Sequence, residues 1–119
     1  MKKLLAIGVV LALMGCAEKA PLTPEQQWQG YCKSVGNAAR TILFDRQNGI
    51  PVEKAKEHAE KIEDETTKKF IFEIIERVYA MPEQEIKDDV EGSRELIRAE
   101  FNQKCVDTPF EHLPEYKAF

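Results

Sequence analysis

The sequence predicts an all-α fold, a small four-helix bundle followed by an irregular C-terminal tail. Apolar residues between Trp28 and Cys105 recur every three or four positions, the spacing of a helix with one buried face. No segment shows the strict alternation of apolar and polar residues that is typical of a half-buried strand. The length of 119 residues allows one small domain and excludes a doubly wound nucleotide fold or a barrel enzyme with a second domain.

The first helix is predicted to begin after Thr23, whose hydroxyl can cap it. Pro24 suits the first helical position, and Gln26 completes a capping box with Thr23. Gly49 followed by Ile50 and Pro51 is a stop signal for this helix. Its apolar and small residues follow the helical period and form the expected buried face: Trp28, Tyr31, Cys32, Val35, Ala38, Ala39, Ile42 and Leu43.

Three further helices are predicted before the tail. Residues 51–64 are charged and carry only a thin apolar stripe, so we expect a peripheral helix with one face in water. A third helix begins at Thr66 or Thr67, has the widest apolar arc and ends before Pro82. The fourth helix covers about residues 83–104.

The segment 106–119 is predicted to be irregular, because Pro109 and Pro114 interrupt any regular helix. Either this tail folds back over the bundle as a lid, the arrangement that we favour, or it forms a contact strip for a partner protein. Both arrangements involve the same large apolar residues, which follow no helical period: Phe110, Leu113, Tyr116 and Phe119.

The N-terminal segment has the organisation of an export signal. Two lysines precede an apolar run over residues 4–14, which is shorter than the roughly 20 apolar residues of a membrane-spanning helix. The run ends in Leu13-Met14-Gly15-Cys16, with Leu three positions before the cysteine and a small residue directly before it. This motif resembles the lipobox of bacterial lipoproteins, although Met14 is larger than the residue that is usual at its position.

The resemblance implies that residues 1–15 are a type II signal peptide and that Cys16 is the lipidation site. Cys16 would carry a diacylglyceryl group and an acylated amino group, with fatty acids of the palmitate kind, and several acyl chains anchor a protein stably in a membrane. Residues 16–22 would be a tether. By analogy with enterobacterial sorting, the absence of Asp at Ala17 implies the outer membrane, with the domain of residues 23–105 facing the periplasm. The alternative is an ordinary secretory signal that is cleaved near a cysteine.

Removing the first 15 of the 119 residues leaves two cysteines besides the lipidated one, Cys32 and Cys105. An even pair in a small exported domain predicts one disulfide, which would staple the bundle. It would join the first helix near its start to the last helix at its end, an arrangement that suits antiparallel neighbours. The alternatives are two unpaired core thiols or, less favoured because no further ligand lies at a suitable spacing, a metal pair.

Charge and composition argue against several function classes. The chain has 17 Lys+Arg and 21 Asp+Glu, a formal net charge of −4 that becomes −6 when the signal peptide and its two lysines are removed. Such an acidic chain is not expected to bind nucleic acid, which is held through phosphate contacts. The two histidines, His58 and His112, lie beside no recognisable nucleophile motif, nor do Ser34 and Ser93, so we expect no enzyme activity.

A stripe of carboxylates in the second predicted helix could in principle attract a hard cation. Lysines interleave with these acids, and the chain has no calcium-loop pattern, so the stripe is interpreted as a solvated helix face. We therefore expect no metal and no cofactor. The carboxylates in question are Glu53, Glu57, Glu60 and Asp64.

Together these observations predict a lipid-anchored, non-enzymatic interaction protein of the cell envelope, of the accessory, exclusion or inhibitor type. Its partners would be the membrane, through the anchor, and another envelope protein. The alternative hypothesis is a small-molecule or ion binding module of the periplasm.

Replacing Cys16 tests the predicted lipidation at this residue. Cys16→Ala should leave an unlipidated precursor, because the thiol that accepts the diacylglyceryl group is lost. Metabolic labelling with a radioactive fatty acid measures this, with the unchanged chain as the labelled control. Acyl label that persists in Cys16→Ala would refute the assignment.

Overall fold

The computed structural model describes residues 20–111 and 113–114, and every regular element in them is a helix. The all-α class is therefore confirmed, but this part of the chain holds five helices where the sequence predicts four. Cys16, the predicted lipidation site, and the residues His112, Tyr116 and Phe119 lie outside the described residues. The helices are α1 (Pro24–Gln47), α2 (Val52–Glu60), α3 (Glu65–Ala80), α4 (Glu83–Asp88) and α5 (Val90–Val106).

Helix α1 begins and ends where the sequence predicts. The Thr23 hydroxyl accepts a hydrogen bond from the Gln26 backbone N–H at 3.1 Å, and the Gln26 side chain accepts one from the Thr23 N–H at 2.9 Å. These two bonds complete the capping box. Gly49 follows the helix with φ of +88°, in the left-handed region that favours glycine. The result is a helix of 24 residues, about 36 Å long.

The prediction of one continuous fourth helix is wrong, because the helix is interrupted at Asp89 and divides into α4 and α5. Asp89 has φ of −143° and ψ of 86°, and its carboxylate accepts a hydrogen bond from the Gly92 N–H at 2.9 Å. A Cβ atom at position 92 would collide with that carboxylate. Gly92 therefore leaves room for the cap of α5, whereas in one continuous helix it would only be a weakness of about 1 kcal/mol.

Helices α1 and α5 are antiparallel and are joined at both ends. Near the start of α1, Cys32 forms a disulfide with Cys105 near the end of α5, with their Cα atoms 5.3 Å apart. At the other end, the Gln47 side-chain oxygen accepts a hydrogen bond from Arg94 Nε at 2.6 Å. The disulfide and the antiparallel pairing that the sequence predicts are both confirmed.

Helix α3 lies on another side of α1 and runs parallel to it. Near the start of both helices, the hydroxyls of Tyr31 and Thr67 share a hydrogen bond of 2.8 Å. Near their ends, Arg46 donates to the carbonyl oxygens of Val78 at 2.6 Å and Met81 at 2.7 Å. Helix α2 packs on α3 and α4 packs on α5, so three long helices form the bundle and two short ones are attached to it.

The core lies between the three long helices. Cys32 and Cys105 are fully buried in it, and Phe72 on α3 is half-buried against it. No helix within residues 20–111 and 113–114 has the length and apolar character needed to cross a membrane. The largest fully buried side chains are Phe101, Leu43, Ile74, Ile75, Ile97, Val35 and Val78.

Removing the disulfide is expected to lower the free energy of unfolding substantially. The replacement of Cys32 and Cys105 together by Ala opens a loop of 73 residues, for which chain entropy gives about 4 kcal/mol. Urea unfolding followed by circular dichroism measures the loss. As a control, a reducing agent should destabilise the unchanged chain but not the double variant. A loss below about 1 kcal/mol would contradict the structural role of the bond.

Candidate functional site

A cleft of about 430 Å³ opens between α1, α2 and α3. It exists because α2 packs against α3 and makes few contacts with α1. The inner surface of the cleft is apolar, and the polar side chains lie mainly on the α1 wall. The apolar lining includes Ala38, Ile42, Ala59, Ile62, Ile71 and Ile75, and the polar lining consists of Ser34, Asn37, Thr41, Asp45 and His58.

Asp45 supplies the only carboxylate among the lining residues. It is half-buried, and its carboxylate forms no hydrogen bond or ion pair with any residue that the structure describes. The neighbouring Arg46 forms no ion pair with it, because the Arg46 guanidinium donates to the carbonyl oxygens of Val78 and Met81 and lies 5.8 Å from the centre of the Tyr79 ring. At this end the cleft therefore has a carboxylate without an ion-pair partner among the described residues.

A hydrogen bond between Tyr79 and Ile50 lies at the end of the cleft where Asp45 is found. The Tyr79 hydroxyl donates a hydrogen bond of 2.6 Å to the carbonyl oxygen of Ile50, which itself lines the cleft. Partial burial raises the pKa of Tyr79, and the negative charge of Asp45 raises it further. The phenol consequently stays protonated and keeps the α1–α2 connection attached to α3.

His58 lies on α2 and lines the same cleft as Ser34 and Asp45. These are the residue types that a catalytic site combines, and the sequence does not place them together. However, the His58 imidazole is exposed and makes no hydrogen bond or ion pair within the described residues. The other serine that we considered, Ser93, is buried and donates to the carbonyl oxygen of Glu85 at 3.1 Å.

Two of the four carboxylates that the sequence places in one stripe, Asp64 and Glu60, have separate structural roles. Asp64 accepts hydrogen bonds from the backbone N–H and the hydroxyl of Thr67, both at 2.8 Å, and so caps α3. Glu60 pairs with Lys68 at 3.2 Å. Among residues 20–111 and 113–114, no three His, Cys, Asp or Glu side chains are grouped closely enough to hold a metal ion.

A second feature is the aromatic end of the bundle, formed by Trp28, Tyr31, Phe70 and Phe110. Trp28 stacks on Tyr31 at 5.1 Å and on Phe110 at 5.0 Å between ring centres. The Trp28 indole N–H donates to the carbonyl oxygen of Cys105 at 3.1 Å. Burial raises the pKa of Tyr31, whose hydroxyl is held by Thr67.

The first part of the tail lies against this aromatic end. Phe110 and Leu113 are both half-buried and pack against the core. Leu113 and Pro114 also border a second groove of about 360 Å³, together with Leu22 at the entry to α1. The start of the tail and the residues directly before α1 therefore meet at the same end of the bundle.

Comparison with known proteins provides no relative from which a function could be transferred. No family model matches the chain, and no curated protein and no solved structure matches it either.

Sequence reasoning missed the polar wall of the cleft, although a signal for it exists. Ser34, Asn37, Thr41 and Asp45 recur at intervals of three or four, so they form one stripe along α1 beside its buried face. The stripe alone resembles an ordinary solvated face. Only the position of α2 converts it into the wall of a cleft.

Truncating Phe110 tests whether the tail covers Trp28. Phe110→Ala should shift the emission of Trp28, the single tryptophan of the chain, to longer wavelength because its stacked partner is lost. It should also lower the free energy of unfolding by about 1–2 kcal/mol. Phe44→Ala, which removes an exposed ring on α1, is the control and should leave the emission unchanged. Unchanged emission in Phe110→Ala would contradict the stacking.

Proposed function

We propose that this chain is a lipid-anchored, non-enzymatic interaction protein, held by Cys16 in the outer membrane with its helical domain in the periplasm. The observation that carries the proposal is the lipobox-like motif ending at Cys16, followed by a short tether and a disulfide-bonded domain. Disulfides persist in oxidising compartments, so the buried bond between Cys32 and Cys105 supports an exported location.

The two ends of the bundle lie at different distances from the proposed anchor at Cys16. The seven residue steps from Cys16 to Thr23 span at most about 25 Å when fully extended. The aromatic end therefore stays close to the anchored cysteine. The opposite end of α1, where Gly49 lies, is about 36 Å further along the helix. The cleft, which lies along α1 beyond Tyr31, can then extend further from the membrane than the aromatic end.

The partner contact is proposed at the aromatic end and its tail. Phe110 and Leu113 are each only half-buried, and Leu22 beside them is 60% exposed. Exposed apolar surface of this kind favours contact with another protein. Because Phe110 stacks on Trp28, the ring of Phe110 would be presented to a partner in a fixed position. The proposed contact residues are Phe110, Leu113, Tyr116 and Phe119.

The non-enzymatic part of the proposal is supported by the sequence, in which neither His58 nor Ser34 lies in a recognisable catalytic motif.

The cleft favours a second candidate function, that of a small-molecule binding module. Its volume of about 430 Å³ lies within the range of known ligand pockets, about 300–1,000 Å³. An apolar lining with a few polar groups along one wall is also typical of such pockets. This function is compatible with a membrane anchor and does not require the tail.

Photo-crosslinking in living cells tests the partner contact. We expect benzoylphenylalanine at Glu111, an exposed position in the tail, to give a discrete heavier species, because a partner would lie within reach of it. The same group at Glu76, an exposed position on α3, serves as the matched control and should give no such species. Immunoblotting after irradiation is the measurement. Identical products from both positions, or none from Glu111, would argue against the proposed contact.

A further inference from the structure

We propose that the cleft between α1, α2 and α3 binds a small organic cation, a primary amine carried on an apolar body. The inference rests on the second candidate function, that the cleft is a ligand site, and adds the chemical class of the ligand. Three features of the lining support it: the size and apolar character of the cleft, the single carboxylate, and the oxygen acceptors next to that carboxylate.

The apolar lining selects a compact hydrocarbon body. Alanines on both walls, at Ala38 on α1 and at Ala55 and Ala59 on α2, keep the cleft open. The half-buried side chains of Ile42 and Ile62 leave apolar surface that a ligand would remove from water. A ring or short branched chain fits this space better than an extended polar molecule, because removal of apolar surface from water favours binding.

The charge of the lining selects a cation. Among the described residues, Asp45 is the only carboxylate that lines the cleft and no lysine or arginine lines it, while Arg46 donates to the carbonyl oxygens of Val78 and Met81. An ammonium group would give the Asp45 carboxylate the charged partner that it lacks within the described residues. An anion would instead be repelled, and a neutral ligand would leave the charge unpaired.

The groups next to Asp45 favour a primary amine, which has three N–H donors. Thr41 lies one helical turn before Asp45 and donates its hydroxyl to the carbonyl oxygen of Asn37 at 3.0 Å. Its oxygen therefore retains lone pairs that can accept a hydrogen bond from the ligand. The side-chain amide of Asn37, a further turn away, makes no hydrogen bond within the described residues and can contact a second polar group.

Three probes of similar shape test two claims separately: that the cleft binds a ligand, and that the ligand is a cation. Cyclohexylmethylammonium, cyclohexylmethanol and cyclohexanecarboxylate share one ring and differ in charge. Each is titrated into the full chain in a non-ionic detergent, with isoleucine methyl groups observed by NMR. We expect the ammonium to shift the signals of Ile42, Ile62 and Ile71, with a dissociation constant of about millimolar, as suits so small a probe. Ile97, fully buried on α5, is the internal control.

Matched variants assign the charge effect to Asp45. Asp45→Asn should weaken binding of the ammonium about fivefold and change that of the alcohol less than twofold. Glu57→Gln removes an equal charge from an exposed carboxylate on α2 that has no ion pair, and should change neither. Ala55→Phe fills the cleft and should abolish binding of all three probes, with circular dichroism and the Ile97 signal reporting that the fold is retained.

The outcomes distinguish failure of the ligand class from failure of the site. If the alcohol or the carboxylate binds at the cleft as tightly as the ammonium, or if Asp45→Asn behaves like Glu57→Gln, the cation proposal is overturned while the cleft remains a ligand site. If none of the probes shifts the cleft isoleucines at concentrations up to tens of millimolar, both the cation proposal and the second candidate function are overturned.

Discussion

The disulfide between Cys32 and Cys105 is the constraint on which the rest of the structure depends. It joins two residues 73 positions apart and so holds the start of α1 against the end of α5. The carbonyl oxygen of Cys105 receives the indole N–H of Trp28, and Trp28 in turn stacks on Phe110. The bond therefore fixes the helix pairing and, through one hydrogen bond and one aromatic contact, the place where the tail leaves the bundle.

The opposite end of the bundle has no covalent link and is held by polar side chains. Arg46 binds two carbonyl oxygens at the end of α3, which satisfies groups that helical hydrogen bonds leave free. Because Arg46 is used in this way, it forms no ion pair with the adjacent Asp45, whose carboxylate lines the cleft. A contact that holds the fold together thus leaves the cleft with a carboxylate that has no ion-pair partner among the described residues.

The cleft itself follows from the shortness of α2. This helix has nine residues and buries only Ala59 among them, so it covers α3 without filling the space beside α1. Small side chains on both walls, at Ala38 and Ala55, maintain the opening. A longer helix with large apolar residues would close the same space and complete a four-helix core, the architecture expected from the number of helical segments alone.

The sequence by itself determined the features that depend on neighbouring residues or on composition. The capping box at Thr23 and the stop at Gly49 depend on residues within one helical turn. The pairing of Cys32 with Cys105 follows from the number of cysteines when Cys16 is assigned to lipidation by its resemblance to a lipobox cysteine. Only the tertiary structure decided that Asp45 lines a cleft together with residues from α2 and α3. The physical reason is that helical periodicity tells which face of a helix is buried, whereas the space between helices depends on how closely each one approaches its neighbours.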